Sequence, residues 1–172
     1  MRKLSIIIPT FNRCNYLNNL LHQLFNISHA KFEIQVIVII DGSTDGTLEL
    51  MKYNYPKAHL VKGDGSWWYT KSINEGVNYA AKFRPNYILT LNDDLLLDEN
   101  FFLALENAII QAPQCSIIGA LSLMKESPDL VISSGVKKIV WWKYKLETYY
   151  KMFSKIDISS LTGLHTSKVL PG

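Results

Sequence analysis

Residues 32–46 read FEIQVIVIIDGSTDG. From Val36 to Ile40 every side chain is apolar, with none of the alternation of a strand that keeps one face in water. A run of that kind is buried on both faces, as when helices cover both sides of a parallel sheet. Turn residues follow at once. Asp41-Gly42-Ser43-Thr44-Asp45-Gly46 end the strand, and Ser43 or Thr44 is placed to cap a helix carrying Leu48 and Met51.

The flanking segments repeat this unit. Leu4 to Pro9 is a first strand, ended by Pro9, and Leu17, Leu20, Leu21, Leu24 and Phe25 fall on one helical face. His59 to Val61 reads as a short strand. Ile73, Val77, Ala80 and Ala81 mark a helix closed by Arg84-Pro85, and Tyr87 to Leu91 is a fourth, buried strand. Asp98 is a good N-cap for an amphipathic helix with Phe102, Leu105 and Ile109, which ends before Pro113; Ser116 to Leu123 reads as another strand. The alternation predicts an α/β fold, an open, mostly parallel sheet with helices on both faces. From Asp129 onward the period is strand-like and rich in aromatics.

The chain has 172 residues, the length of one domain or a domain and a fraction, and 48% hydrophobic residues, enough for a core. No segment approaches the ~20 apolar residues of a membrane span. The N-terminus enters its first strand too abruptly for a secretory signal, so the expected residence is the cytoplasm, extending to the inner face of the membrane. Cys14 and Cys115 are far apart and outside any CxxC, which points to reduced thiols; the four histidines lack ligand spacing. The net charge of +3 conceals six lysines against one glutamate between Lys137 and Lys155. Such a segment suits phosphates, nucleic acid or an anionic membrane. The plainer reading, preferred here, is a half-buried strand in which Trp142, Tyr144 and Leu146 alternate with Lys143, Lys145 and Glu147. The close of the chain at Leu170-Pro171-Gly172, with no polar tail, reads as a cut end.

In open α/β sheets ligands bind beyond the C-terminal ends of the strands. Pro9-Thr10, Asp41-Gly42 and Asn92-Asp93-Asp94 each follow a predicted strand, so all three are expected on one crevice. Adjacent carboxylates there suit a hard divalent cation such as Mg or Mn, held by one or two acids together with substrate phosphates. The alternative is that Asp93 and Asp94 cap a turn. Asp41 is placed either to accept from a base N–H or ribose hydroxyl, or to cap a turn of its own.

Three blocks, Ser5-Ile6-Ile7-Ile8-Pro9-Thr10-Phe11-Asn12-Arg13, Val38-Ile39-Ile40-Asp41-Gly42-Ser43-Thr44-Asp45 and Leu91-Asn92-Asp93-Asp94, resemble in order and spacing the family 2 glycosyltransferases of the GT-A fold, over roughly residues 3–125. The resemblance implies that Pro9, Thr10, Phe11, Asn12, Asp41 and Asp93 line a nucleotide site. It implies that Asn92-Asp93-Asp94 is the DxD-type motif, with Asp94, aided by Asp93, as metal ligand. Two letters depart from the pattern: Ile40 replaces a first acid before Asp41, and Asn92 opens the metal motif. The family's catalytic base is expected beyond Gly172, so the catalytic residue is unknown; among Glu126, Asp129, Glu147 and Asp157 none lies in a matching context, and Asp157 is the least unsuitable.

Gly63-Asp64-Gly65-Ser66-Trp67-Trp68 resembles a stretch of bacterial rhamnosyltransferase-like members, which also carry a Leu-Pro-Gly like that at 170–172. This makes Gly65, Trp67, Trp68 and Lys71 donor-site candidates. Glycines let backbone approach a ligand and indole faces stack on a sugar or base. The alternative is a tight turn, two core tryptophans and a solvated lysine.

What the resemblance implies is a metal-dependent, inverting transfer from a UDP- or dTDP-linked sugar to a saccharide or lipid-linked acceptor, of the kind used in bacterial polysaccharide biosynthesis. Nucleic acid is not an expected partner; peripheral contact with a membrane is. Residues 1–125 would be the donor-binding core and 126–172 the incomplete start of an acceptor-side region, weakly active or inactive alone. A sugar nucleotidyltransferase would want a glycine-rich loop after the first strand, which Pro9-Thr10-Phe11-Asn12-Arg13 lacks. A non-catalytic nucleotide- or surface-binding module is the remaining alternative.

Overall fold

The structure is a computed structural model that describes residues 1–168, except 30, 115, 144, 158, 160 and 162. Cys115, Tyr144 and Leu170-Pro171-Gly172, named above, lie outside the described residues. The chain forms two compact units, Met1–Phe102 and Leu103–Gly172.

The first unit runs β1 (Arg2–Thr10), α1 (Cys14–Asn26), β2 (Phe32–Asp41), α2 (Thr47–Asn54), β3 (His59–Gly63), α3 (Trp68–Ala81) and β4 (Tyr87–Thr90). Its sheet is wholly parallel in the order β3-β2-β1-β4, with Ile7 beside both Ile37 and Thr90. The chain steps outward from β1 to β3, and α3 then returns it to the other side of β1. The strand order therefore reverses between β1 and β4, where a crevice opens at the strand ends. β1 continues through Pro9 to Thr10 rather than stopping at the proline. Its pairing with β4 ends at Ile7, so no ladder bond on that side needs the missing N–H of Pro9.

Side chains alternate across the sheet, and both faces are buried. On one face Ile7, Ile37 and Ile39 pack with Ala80 of α3. The opposite face carries Ile6, Ile8, Val36 and Val38, equally buried, and the buried Leu17, Leu20, Leu21, Leu24 of α1 and Met51 of α2 remain to cover it. Phe25 is exposed and stacks on Tyr55 at 5.8 Å, so the α1 stripe stops one residue short of the sequence reading. On α3 the buried residues are Ser72, Gly76 and Ala80, whereas Ile73 and Val77 are half-buried and Ala81 is exposed. The cause is proximity. A Cβ on Gly76 would run into Ile7 and come within 2.9 Å of Ile39 Cδ1, so the smallest residues take the contact. β4, expected to be buried, is an edge strand of alternating burial with Ile88 at 43% exposure.

The helix α4 (Phe101–Gln111) begins where the first unit ends. Asp98, expected as its N-cap, forms the turn that leads into it, its carbonyl accepting from Phe101 N at 3.0 Å and its carboxylate from Asn100 N at 2.8 Å. In the second unit β5 (Ser122–Met124) and β6 (Ser127–Ser133) form one antiparallel pair, and β7 (Val136–Val140) and β8 (Lys145–Thr148) another. The strand expected over 116–123 is thus only the short β5, and it pairs with its successor instead of extending the parallel sheet. The basic segment also differs from its plainer reading. Trp141–Lys143 is a 3-10 turn with Trp141 and Trp142 more than 70% exposed, and all of β8 is exposed, so neither face of it is buried. Among the described residues no helix is long and apolar enough to cross a membrane.

Candidate functional site

The three blocks singled out in the sequence converge at the C-terminal ends of β1, β2 and β4, all within the first unit. Thr10, the buried last residue of β1, donates its hydroxyl to Asp93 Oδ2 at 2.7 Å. Asp93 is itself buried, a costly place for a carboxylate without partners. Its other oxygen accepts from Arg13 Nη1 at 3.2 Å, and the same nitrogen reaches Asp94 Oδ2 at 2.8 Å. These bonds, Asp94's foremost, hold the Arg13 guanidinium above its ordinary pKa. Arg13 and Asp94 are each roughly half exposed (49% and 42%), and the Tyr16 ring lies 5.9 Å from the Arg13 guanidinium carbon. An open cleft of about 250 Å³ lies against Arg13, lined also by Asn12, Cys14, Asn15, Tyr16 and Asp45.

Asp41 ends β2 with 6% exposure, and its carboxylate gathers backbone donors from the loop after β3. Oδ1 accepts from Gly65 N at 2.7 Å, and Oδ2 from Trp67 N and Trp68 N, both at 2.9 Å. The chain turns away at Gly42, whose φ of +75° suits glycine, and a Cβ there would lie 2.7 Å from the Gly65 Cα. The two tryptophans separate. Trp67 is partly buried against the Ile7, Ile37, Ile39 and Ala80 cluster, with Lys71 Nζ 5.0 Å from its ring centre. Trp68 is 82% exposed and has a φ of +54°, a costly conformation for a bulky residue, held by the bond from its N–H to Asp41.

A second clip joins the loops after β1 and β2. Asn12, at positive φ, donates its N–H to Ser43 Oγ at 3.0 Å and accepts from Thr44 N at 2.8 Å. Ser43 and Thr44 are spent on Asn12; the N-cap position of α2 is Gly46, and Asp45 just before it bonds the first residue of the helix. Asp45 Oδ1 accepts from Thr47 N and its hydroxyl, while Oδ2 accepts from Cys14 N at the start of α1 at 2.8 Å. Desolvation pushes the Asp45 pKa up, but the bonds from Thr47 and Cys14 outweigh it and the carboxyl sits below its ordinary value. Phe11 is exposed, Pro9 is half-buried, and Asn92 is exposed next to the acidic pair.

Arg13 and Asp45 are two side chains of this region to which the sequence reading gives no role of their own. A lone cation beside a block that precedes two adjacent acids was the available signal for Arg13. Among the described residues no group of three or more His, Cys, Asp or Glu gathers. A Mg or Mn site of the substrate-sharing kind needs only one or two carboxylates, and this pair fits it: Asp94 is accessible, and Asp93 is fixed behind it by Thr10. In the second unit Asp129 pairs with Lys155 at 3.0 Å, and Asp157 accepts from Ser159 N at 3.0 Å.

A sequence model of the family described as Glycosyl transferase family 2 matches residues 5–158. An uncharacterized glycosyltransferase of Rickettsia bellii is 36% identical over 103 residues, covering 57% of this chain and 14% of that protein. The poly(ribitol-phosphate) beta-N-acetylglucosaminyltransferase TarS of Staphylococcus aureus is 38% identical over 60 residues, 35% of this chain and 10% of TarS. The crystal structure of TarS 1–349 in complex with UDP-GlcNAc shares the fold, with a TM-score of 0.51 at 24% identity over 64% of this chain and 31% of that one. The mannosyltransferase PcManGT of Pyrobaculum calidifontis, in complex with GDP-Man and Mn2+, does so with a TM-score of 0.53 at 21% identity, over 71% and 35% respectively. The chain spans well under half the length of each of these relatives.

Proposed function

Since this chain belongs to glycosyl transferase family 2 and has the GT-A fold, we propose that the protein moves a sugar from a nucleoside-diphosphate donor to an acceptor hydroxyl, with inversion at the anomeric carbon. The observation that carries the proposal is the Thr10–Asp93 hydrogen bond, which fixes the acidic pair at the strand-order reversal and leaves Asp94 facing outward. TarS with UDP-GlcNAc and PcManGT with GDP-Man support a nucleoside-diphosphate sugar as the donor class.

In this reading Asp94, with Asp93 behind it, holds Mn or Mg; once bound, the cation neutralises the diphosphate and eases its departure. Pro9, Thr10, Phe11 and Asn12 form the nucleotide wall on the β1 side. Asp41 has about four acceptor positions, of which three serve Gly65, Trp67 and Trp68, so one remains for a base N–H. Of the donor-site candidates, the exposed Trp68 offers an indole face to a sugar or base, and Gly65 lets the backbone come close. Trp67 and Lys71 support that loop from behind. UDP or dTDP is the proposed nucleotide, and a saccharide or lipid-linked hydroxyl the proposed acceptor.

Residues 1–125 supply donor binding in this proposal, and 126–172 begin the acceptor side. The general base, worth ~10²–10⁴ in rate, is proposed to lie beyond Gly172, as the family resemblance implies. Calorimetric titration of UDP and dTDP with Mn2+ and again with EDTA tests the reading. Metal-dependent binding that disappears in Asp94→Ala supports it; metal-independent binding, or none to a folded sample, defeats it.

The exposure of Trp141, Trp142 and β8 favours a second property, peripheral binding of an anionic surface by the lysines between 137 and 155. Co-sedimentation with phosphatidylserine vesicles, lost when Lys143 and Lys145 become Glu, is the expected result.

A further inference from the structure

We infer that Arg13 is a resident counter-ion of the acidic pair, which a divalent cation must displace from Asp94, so that cation and nucleoside diphosphate enter the site together. This rests on the reading of Asp94 as a metal ligand. One nitrogen, Nη1, touches both carboxylates, at 2.8 Å from Asp94 Oδ2 and 3.2 Å from Asp93 Oδ1. A single positive charge thus already serves two negative ones. Guanidinium does not lose its proton in proteins, so Asp94 is released only if the side chain moves.

The surroundings allow that movement and confine it to the side chain. The backbone next to Arg13 is pinned, because Asn12 is clipped to Ser43 and Thr44 and the Arg13 carbonyl accepts from Leu17 N in the first turn of α1. The guanidinium and Asp94 are both about half exposed, so they can part toward water, while Asp93 keeps the bond from Thr10. The guanidinium already lies 5.9 Å from the centre of the Tyr16 ring, a contact that can persist when the carboxylates are released.

A divalent ion arriving alone at Asp94 meets the repulsion of a guanidinium at hydrogen-bond distance from the same carboxylate. A diphosphate removes the conflict. Its oxygens accept bidentate bonds from arginine and also complete the shell of a Mg or Mn ion. Beyond the direct coupling through the shared diphosphate, the release of Arg13 thus adds positive coupling between cation and nucleotide, and by linkage it is the same in both directions.

The test is Mn2+ titration by calorimetry of the wild type, Arg13→Gln and Arg13→Lys, each with and without saturating UDP, after circular dichroism confirms the fold. Without UDP, Arg13→Gln is expected to bind Mn2+ ~10-fold or more tightly than wild type, within the range of ordinary coupling. UDP should strengthen Mn2+ binding by a larger factor in wild type than in Arg13→Gln, where only the direct bridge through the diphosphate remains. Arg13→Lys, which keeps the charge but not the fork, should fall between, and reads the same difference if the glutamine variant is unfolded. Equal Mn2+ affinity in wild type and variant without UDP overturns the inference, as does weaker binding in Arg13→Gln. In either case Mn2+ uptake by wild type with UDP leaves the function proposed above standing. Its absence removes the metal reading and the inference with it.

Discussion

Thr10 and Asp93 are 83 residues apart in the chain, yet the hydroxyl of one lies 2.7 Å from the carboxylate of the other and ties the end of β1 to the segment after β4. The bond crosses the place where the strand order reverses, and Asp93 is buried there. Thr10→Val keeps the shape and removes the donor to a buried charge, a loss of ~1.5–3 kcal/mol. Urea denaturation should show it, and Thr10→Ser should stay close to wild type.

Asp41→Asn tests the loop after β3. An amide offers one acceptor oxygen where the carboxylate serves three N–H groups on two. We expect a loss of about 2 kcal/mol or more, with a red shift of tryptophan emission from Trp67 as the loop loosens. Unchanged stability and emission would show that the carboxylate does not hold the loop.

Gly76→Ala sets helix propensity against packing. On an open helix surface the change would gain ~1 kcal/mol. Here the new methyl meets Ile7 and Ile39, so overpacking of ~1–3 kcal/mol should make the variant less stable. Asn78→Ala, on an exposed position of the same helix, should be neutral or slightly stabilising.

Asp45 carries a pH signature. Its folded-state pKa is below the ordinary 3.8, because the bonds from Thr47 and Cys14 exceed the desolvation that opposes them. Its contribution is thus complete above 3.8 and fades as pH falls through the lower folded value. Asp45→Asn leaves one acceptor oxygen for bonds that two now receive from Thr47 and Cys14, and should cost ~1 kcal/mol at neutral pH. The gap from wild type should narrow only below pH 3.8, as thermal melts between pH 2 and 7 would show.

The parallel sheet was legible because Val36 to Ile40 is buried on both faces and leaves an uninterrupted apolar run. The burial of α1 was legible from its apolar stripe at spacings of three and four, up to Phe25. Edge position is not written in β4, whose apolar letters match those of a central strand; only the pairing partners distinguish them. Nor does periodicity mark Trp142 as exposed, since a tight turn breaks the alternation that would bury it. The site was legible in its acids, from their place after predicted strands. Its fastening was not. The bonds from Asn12 to Ser43 and Thr44, and from Asp41 to Gly65, join loops distant in sequence, and a side chain that accepts from such backbone leaves no local pattern.

β1 and β2 lie inside the four-stranded sheet, while β3 and β4 form its borders. Amides of the inner strands should exchange with deuterium only when the whole unit opens, whereas those of β4 can exchange through local fraying. Thr10 and Asp41 are thus anchored to the last strands to come apart, and Asp93 and Asp94 hang from one of the first. Gentle warming should accordingly unfasten the acidic side of the crevice while its opposite wall still stands.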